Sequence, residues 1–122
     1  MRTLGQILNP LTDKQKLLLA DTIKFGAWGS CDAEFSDKTD YAYGYITDDA
    51  HLAWNFTRRE LSALFRSLFK ALGLEGNNQS KRCEEFVWIY DWWDDGSGSV
   101  LFIRDALVDD FEEWAKNYNA NQ

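Results

Sequence analysis

Residues 56–73 read FTRRELSALFRSLFKALG, and the fold turns on this stretch. Thr57 and Glu60 have the spacing of a capping box, in which each side chain satisfies a backbone donor left free at a helix start. Phe56 and Leu61 occupy the two positions of a hydrophobic staple. Leu61, Leu64, Phe65, Leu68 and Leu72 then fall within about 100° of one another on a helical wheel. Gly73 supplies the stop. The spacing predicts a helix over 58–72 with one apolar face, and Arg59, Arg66 and Lys70 lie opposite it.

Upstream, residues 3–8 suit a short turn of helix before Asn9-Pro10. Thr12 and Gln15 form another capping box, which predicts a helix over 13–25 ended by Gly26. Its apolar positions Leu18, Leu19, Ile23 and Phe25 spread widely, with Leu17 nearly opposite, so packing on more than one side is expected. Residues 26–40 (GAWGSCDAEFSDKTD) have no period and read as a loop. Tyr41, Tyr43 and Tyr45 alternate with small residues, the period of a short strand. Thr47, followed by Asp48 and Asp49, has the form of an N-cap for a short helix reaching Ala53 or Trp54.

Downstream, residues 74–85 read as a loop. Residues 86–90 (FVWIY) and 100–103 (VLFI) are apolar runs of strand length, joined by the turn-rich stretch 91–99 (DWWDDGSGS) into a hairpin. Asp105 is positioned to cap a last helix whose stripe is Leu107, Val108, Phe111, Trp114, Ala115 and Tyr118. The tail NANQ is expected to fray.

The totals bound what such a chain can be. Its 122 residues match one domain spanning 1–122, and 45% apolar content with six Trp, eight Phe and five Tyr suffices for a core. No run approaches the ~18 apolar residues of a membrane span, and no membrane partner is expected. Two Cys and one His fall short of the roughly four ligands of structural zinc, so neither metal nor cofactor is expected. The N-terminus lacks the layout of a secretion signal, which points to a cytoplasmic protein with reduced thiols. A net charge of −7 opposes generic affinity for nucleic acid. The charge is uneven, however. Residues 57–82 carry six basic and two acidic residues, and the remainder seven basic and eighteen acidic.

The order helix, short strand, short helix, tight connection Asn55-Phe56-Thr57, helix 58–72, hairpin 86–104, helix resembles a winged helix-turn-helix domain. The resemblance rests on element order, since no residue motif here belongs to one winged-helix family. It implies an α+β fold with three N-terminal helices and a short strand, a β-hairpin as the wing, and a C-terminal helix. It further implies that helix 58–72 enters the major groove of DNA through Arg59, Ser62, Arg66 and Lys70. Arg58, Lys81 and Arg82 would then contact phosphate.

Other features pull the reading elsewhere. Asp91, Asp94 and Asp95 would make the wing acidic, and an acidic body repels a duplex. Trp92, Trp93, Asp94 and Asp95 offer an alternative, a recognition loop of a protein-interaction or inhibitor module that takes a basic protein partner. An aromatic pocket for a small molecule is a third possibility. Chemistry has less to recommend it. Asp91, Asp95 and Gly96 fit part of an EF-hand loop, but Trp93 and Phe102 stand where oxygen ligands are required. Gly96-Ser97-Gly98 lacks the Lys-Ser/Thr of a phosphate loop. His51 has no positioned nucleophile, and adjacent acids such as Asp109/Asp110 and Glu112/Glu113 point apart on a helix. The sequence therefore reads as a non-enzymatic binding or regulatory module whose partner is DNA or a basic protein.

Overall fold

The computed structural model describes residues 1–35, 39–47, 55–90 and 99–118. Among these, four helices and six strands follow one another: α1 (Leu4–Leu8), α2 (Asp13–Phe25), β1 (Ala27–Glu34), β2 (Thr39–Thr47), α3 (Arg58–Leu72), β3 (Glu75–Gly76), β4 (Ser80–Arg82), β5 (Phe86–Ile89), β6 (Ser99–Arg104) and α4 (Asp105–Asn117). The class is mixed α+β.

Side chains set the helix starts. Thr3 with Gln6, Thr12 with Gln15 and Thr57 with Glu60 each make both bonds of a capping box. Gly73 ends α3 with φ 84°, the left-handed conformation that glycine adopts without steric cost. Asp105 is not a cap as expected. It is the first residue of α4, Arg104 holds the cap position without a side-chain bond, and Asp105 acts through the helix dipole.

The sheet is where expectation and structure part. Six strands pair antiparallel in the order β1-β2-β6-β5-β4-β3, where three strands were expected. The supposed loop 26–40 supplies β1, an edge strand that pairs with β2 from Ala27 opposite Tyr45 to Glu34 opposite Thr39. A bulge between Ala27 and Gly29 breaks any period of two, which hides the strand from pattern reading. The supposed loop 74–85 supplies β3 and β4, closed by Asn77, whose Oδ1 accepts from the backbone N–H groups of Gln79 and Ser80 at 2.8 and 3.0 Å. Thr47, expected to cap a short helix, is the last residue of β2, and its hydroxyl bonds the carbonyl and hydroxyl of Ser99. The rest of the expected short helix, 48–54, and the hairpin loop, 91–98, lie outside the described residues.

Nor does the hairpin of β5 and β6 stand free as a wing. It is the middle of the sheet, with β2 pairing along the whole of β6 and β4 along β5. Val100, Leu101, Phe102 and Ile103 are all buried, because four consecutive apolar residues in a strand require cover on both faces. Tyr43, Tyr45, Leu101, Ile103, Phe86 and Trp88 face the helices. Ala42, Val87, Val100 and Phe102 face the other way and form a second cluster with Phe35, over whose ring the Arg104 guanidinium lies at 4.4 Å.

Helix α2 is the centre of the helical layer, with α3 on one side and α4 on the other. It buries Leu18, Leu19, Ala20 and Ile23, and also Gln15, Asp21 and Thr22, as its wide apolar spread implied. Tyr45 links β2 to α4 by donating to Glu112 Oε1 at 2.7 Å, and burial followed by the Glu112 carboxylate pushes its phenol well up from the ordinary value.

At the end of α2 the backbone of Gly26 meets β2, and its carbonyl accepts from Ile46 N–H. A Cβ there would collide with the carbonyl oxygens of Ile46 and Thr22, neither of which can swing aside. Gly26→Ala is expected to lower the free energy of unfolding by about 3 kcal/mol in urea titration. Gly5→Ala, where a Cβ meets nothing within 4 Å, should be neutral or stabilising by about 0.5 kcal/mol.

Candidate functional site

Along α3, Arg58, Ser62, Arg66 and Lys70 recur every fourth residue and so form one row on the helix surface. The backbone of α3 runs close to α2, and its aromatic side chains reach across to β5. Phe65 lies 5.7 Å from Phe69, Phe69 lies 4.7 Å from Trp88, and Trp88 lies 5.6 Å from Tyr90, all tilted pairs. Phe69 is buried and Phe65 and Trp88 are half-buried, while Tyr90 is 49% exposed. Lys81 of β4 stands directly opposite Trp88 and so shares its face of the sheet.

Between α3 and β3–β5 these residues line a groove of about 920 Å³. The row from α3 and Lys81 supply four cations, Glu75 the one carboxylate, and Ser62 and Asn78 uncharged polar groups. Among the described residues no carboxylate pairs with Arg58, Arg66, Lys70 or Lys81. Arg66 Nη1 donates to Ser62 Oγ at 3.1 Å. The only acid of α3, Glu60, is turned away to Lys14 at 2.9 Å. That hydrogen bond and the one from the Thr57 backbone hold its carboxyl below the ordinary value.

The structure thus gathers Arg58, Ser62, Arg66, Lys70 and Lys81 into one groove. Arg59 is exposed on α3 but outside it. Arg82 sits opposite Val87, on the other face of the sheet, with Nη2 donating to Ser80 Oγ at 3.0 Å. Trp92, Trp93, Asp94, Asp95 and His51 lie outside the described residues. An aromatic pocket stood among the possibilities, but Phe65, Phe69, Trp88 and Tyr90 were not singled out for it. Their signal was present in Trp88 and Tyr90 at a period of two and in Phe65 and Phe69 four apart.

One end of the groove is clamped by a half-buried ion pair. Arg2 donates from its backbone, Nε and Nη2 to the Glu85 carboxylate at 2.8, 3.1 and 2.8 Å, and from Nη2 to the Leu72 carbonyl at 2.6 Å. The last turn of α3 is thereby tied to the turn between β4 and β5. Burial pushes the Glu85 carboxyl up, but the hydrogen bonds and charge of Arg2 outweigh it and hold the carboxyl at about 2. Burial also pushes the nearby Cys83 thiol up.

A second groove, of about 800 Å³, lies where α1, α2 and α4 meet. Leu4, Leu17, Trp114 and Tyr118 give it an apolar and aromatic lining, with Asp13, Asp110 and Glu113 against Lys14 and Lys16 at its sides. Asp21 is buried apart from both grooves. Burial raises its pKa against the opposing effects of Lys24 and of Asn55, which donates to it at 2.7 Å. Among the described residues no three His, Cys, Asp or Glu side chains are arranged to hold a metal, and no helix is long and apolar enough to cross a membrane.

Because the Glu85 carboxyl is depressed from about 4.5 to about 2, its contribution to stability is complete above the upper value. That contribution is lost as pH falls through the interval. Arg2→Ala is expected to cost about 2–3 kcal/mol at pH 7, less than for a fully enclosed pair because Arg2 remains about a third exposed. It should also flatten the dependence of stability on pH between about 5 and 2. Urea titrations at several pH values, wild type against variant, check both.

No protein-family model, curated protein or solved structure matches this chain.

Proposed function

We propose that the chain is a nucleic-acid-binding module that grips phosphate along α3 and β4. One observation carries this reading: Arg58, Arg66, Lys70 and Lys81 line a single groove and, among the described residues, have no carboxylate partner, in a chain of net charge −7. An ordinary solvated helix face interleaves both signs, whereas the one acid of α3 is engaged by Lys14 on another side. Among the described residues, five acids are exposed on α4 at Asp105, Asp109, Asp110, Glu112 and Glu113, whereas the groove has Glu75 alone. That unevenness among the described residues favours a polyanion at the groove. The winged-helix resemblance implied the same class of partner through helix 58–72, although the hairpin 86–104 that it took for a wing lies inside the sheet.

A second reading, docking of a basic protein segment, is favoured by the groove under α4, where Trp114 and Tyr118 lie among Asp13, Asp110 and Glu113. Its test is Asp110→Lys with Glu113→Lys. The pair should abolish binding of a lysine-rich peptide, and unchanged affinity would dispose of the idea.

Fluorescence anisotropy with labelled oligonucleotides tests the leading reading. Four phosphate contacts give an affinity that falls about 50- to 150-fold between 50 and 200 mM salt. Arg66→Glu with Lys81→Glu is expected to weaken binding at least tenfold and to reduce the salt slope, with the melting temperature little changed. Binding that ignores salt and both substitutions would refute it.

A further inference from the structure

We infer that the strand held in this groove is single-stranded, with its unpaired bases stacked against Trp88 and Tyr90 and its phosphates directed to the row on α3 and to Lys81. The inference rests on the nucleic-acid reading and deepens it. Three observations distinguish a single strand from a duplex.

The first is the direction in which the cations face. A helix that reads duplex DNA projects a convex surface into the major groove, which is about 12 Å wide. Here Arg58, Arg66 and Lys70 share a concave space with residues of β3–β5, whereas Arg59, the arginine of α3 outside it, is the one suited to a convex contact. A duplex meets such a space at its rim, and this favours a narrower occupant. A flexible strand can lie along the groove.

The second is the aromatic content. Tyr90 keeps 49% of its surface exposed at the end of a chain of rings that otherwise serves the core, and Trp88 and Phe65 are half-buried on the same groove. Phosphate has no use for these rings. Paired bases are stacked on their neighbours within the duplex, so only unpaired bases offer free faces. Aromatic platforms beside a basic track are the physical pattern of single-strand binding.

The third is the charge pattern across the groove. Lys81 lies beside the rings, opposite Trp88 in register, while the other three cations stand on the helix wall. A strand running between the walls therefore meets cations on both sides and rings in between. Glu75, the one carboxylate, can accept hydrogen bonds from the amino groups of bases.

The test uses the full chain and three labelled probes of equal length: a twelve-residue oligothymidine, an abasic strand of the same charge, and a duplex. Tyr90→Ala is the informative variant, because Tyr90 is exposed and is tied to the sheet through its backbone, N–H to the Gln79 carbonyl. Thermal melts should show it folded as wild type. The expected result is oligothymidine bound at least tenfold more tightly than either other probe. Tyr90→Ala should weaken oligothymidine about 5- to 150-fold while leaving the abasic strand unchanged. Trp88→Phe, which keeps the ring against Phe69, should have a smaller effect of the same kind.

Equal affinity for abasic strand and oligothymidine, with salt dependence intact, would overturn the stacking inference and leave the phosphate-gripping reading standing. Tighter binding of the duplex would overturn it in favour of the convex face of α3. Unlabelled thymidine monophosphate, added as a competitor, displacing oligothymidine at equal affinity would overturn it in favour of a mononucleotide pocket. Failure of all probes at low salt would remove both readings together.

Discussion

The turn at Glu84-Glu85 is the knot in this chain. The carboxylate of Glu85 takes the backbone and guanidinium of Arg2, and its carbonyl accepts from Arg104 N–H at 3.0 Å. The Glu84 carbonyl accepts from Arg104 Nε at 2.8 Å, and its carboxylate meets the N-terminal ammonium at 3.2 Å. Through Arg2 the same knot reaches the last carbonyls of α3 at Leu72. The N-terminus, the end of α3, the turn before β5 and the junction of β6 with α4 all converge on two residues. A carboxylate 2% exposed would be strongly destabilising alone. Arg2 makes it tolerable, and the geometry this requires fixes how α3 ends relative to the sheet.

The groove follows from that arrangement and from the place of α2. Because α2 occupies the centre of the helical layer and Gly26 lets its end press against β2, α3 is left at the flank over the shorter strands. There the gap to the sheet is bridged by Phe65, Phe69 and Trp88 rather than by close backbone packing. A helix seated tightly would have sealed the rings into the core. One held at the flank leaves Tyr90 and part of Trp88 open beside a row of cations.

What could be read from the chain alone divides along the range of the interactions. The helices were legible because their signals are local: Thr12 with Gln15, Thr57 with Glu60 and Gly73 act within one turn. Strands β5 and β6 were legible because Phe86-Val87-Trp88-Ile89 and Val100-Leu101-Phe102-Ile103 need cover whatever their partners. Strands β1, β3 and β4 were not. Trp28-Gly29-Ser30, Glu75-Gly76 and Ser80-Lys81-Arg82 carry no apolar alternation and become strands only through neighbours already in place. The site divides in the same way. Its cations follow from helical spacing, apart from Arg59, which misses the row by one residue. Lys81 and Arg82 could be sorted only by the register that sets one opposite Trp88 and the other opposite Val87.

The strand order has a kinetic side as well. Strands β3 to β6 form one meander and β1 with β2 one hairpin, both built from pairings close in sequence. The two blocks meet only at the ladder of β2 with β6, whose partners run from Ala42 with Arg104 to Thr47 with Ser99. Closing that seam gathers residues from distant parts of the chain, the kind of pairing whose loop-closure entropy slows folding. Until it closes, both blocks present bare strand edges rich in aromatic and branched side chains. The nascent chain is then most open to pairing with another copy of itself, and the speed of one seam governs how much of it escapes aggregation.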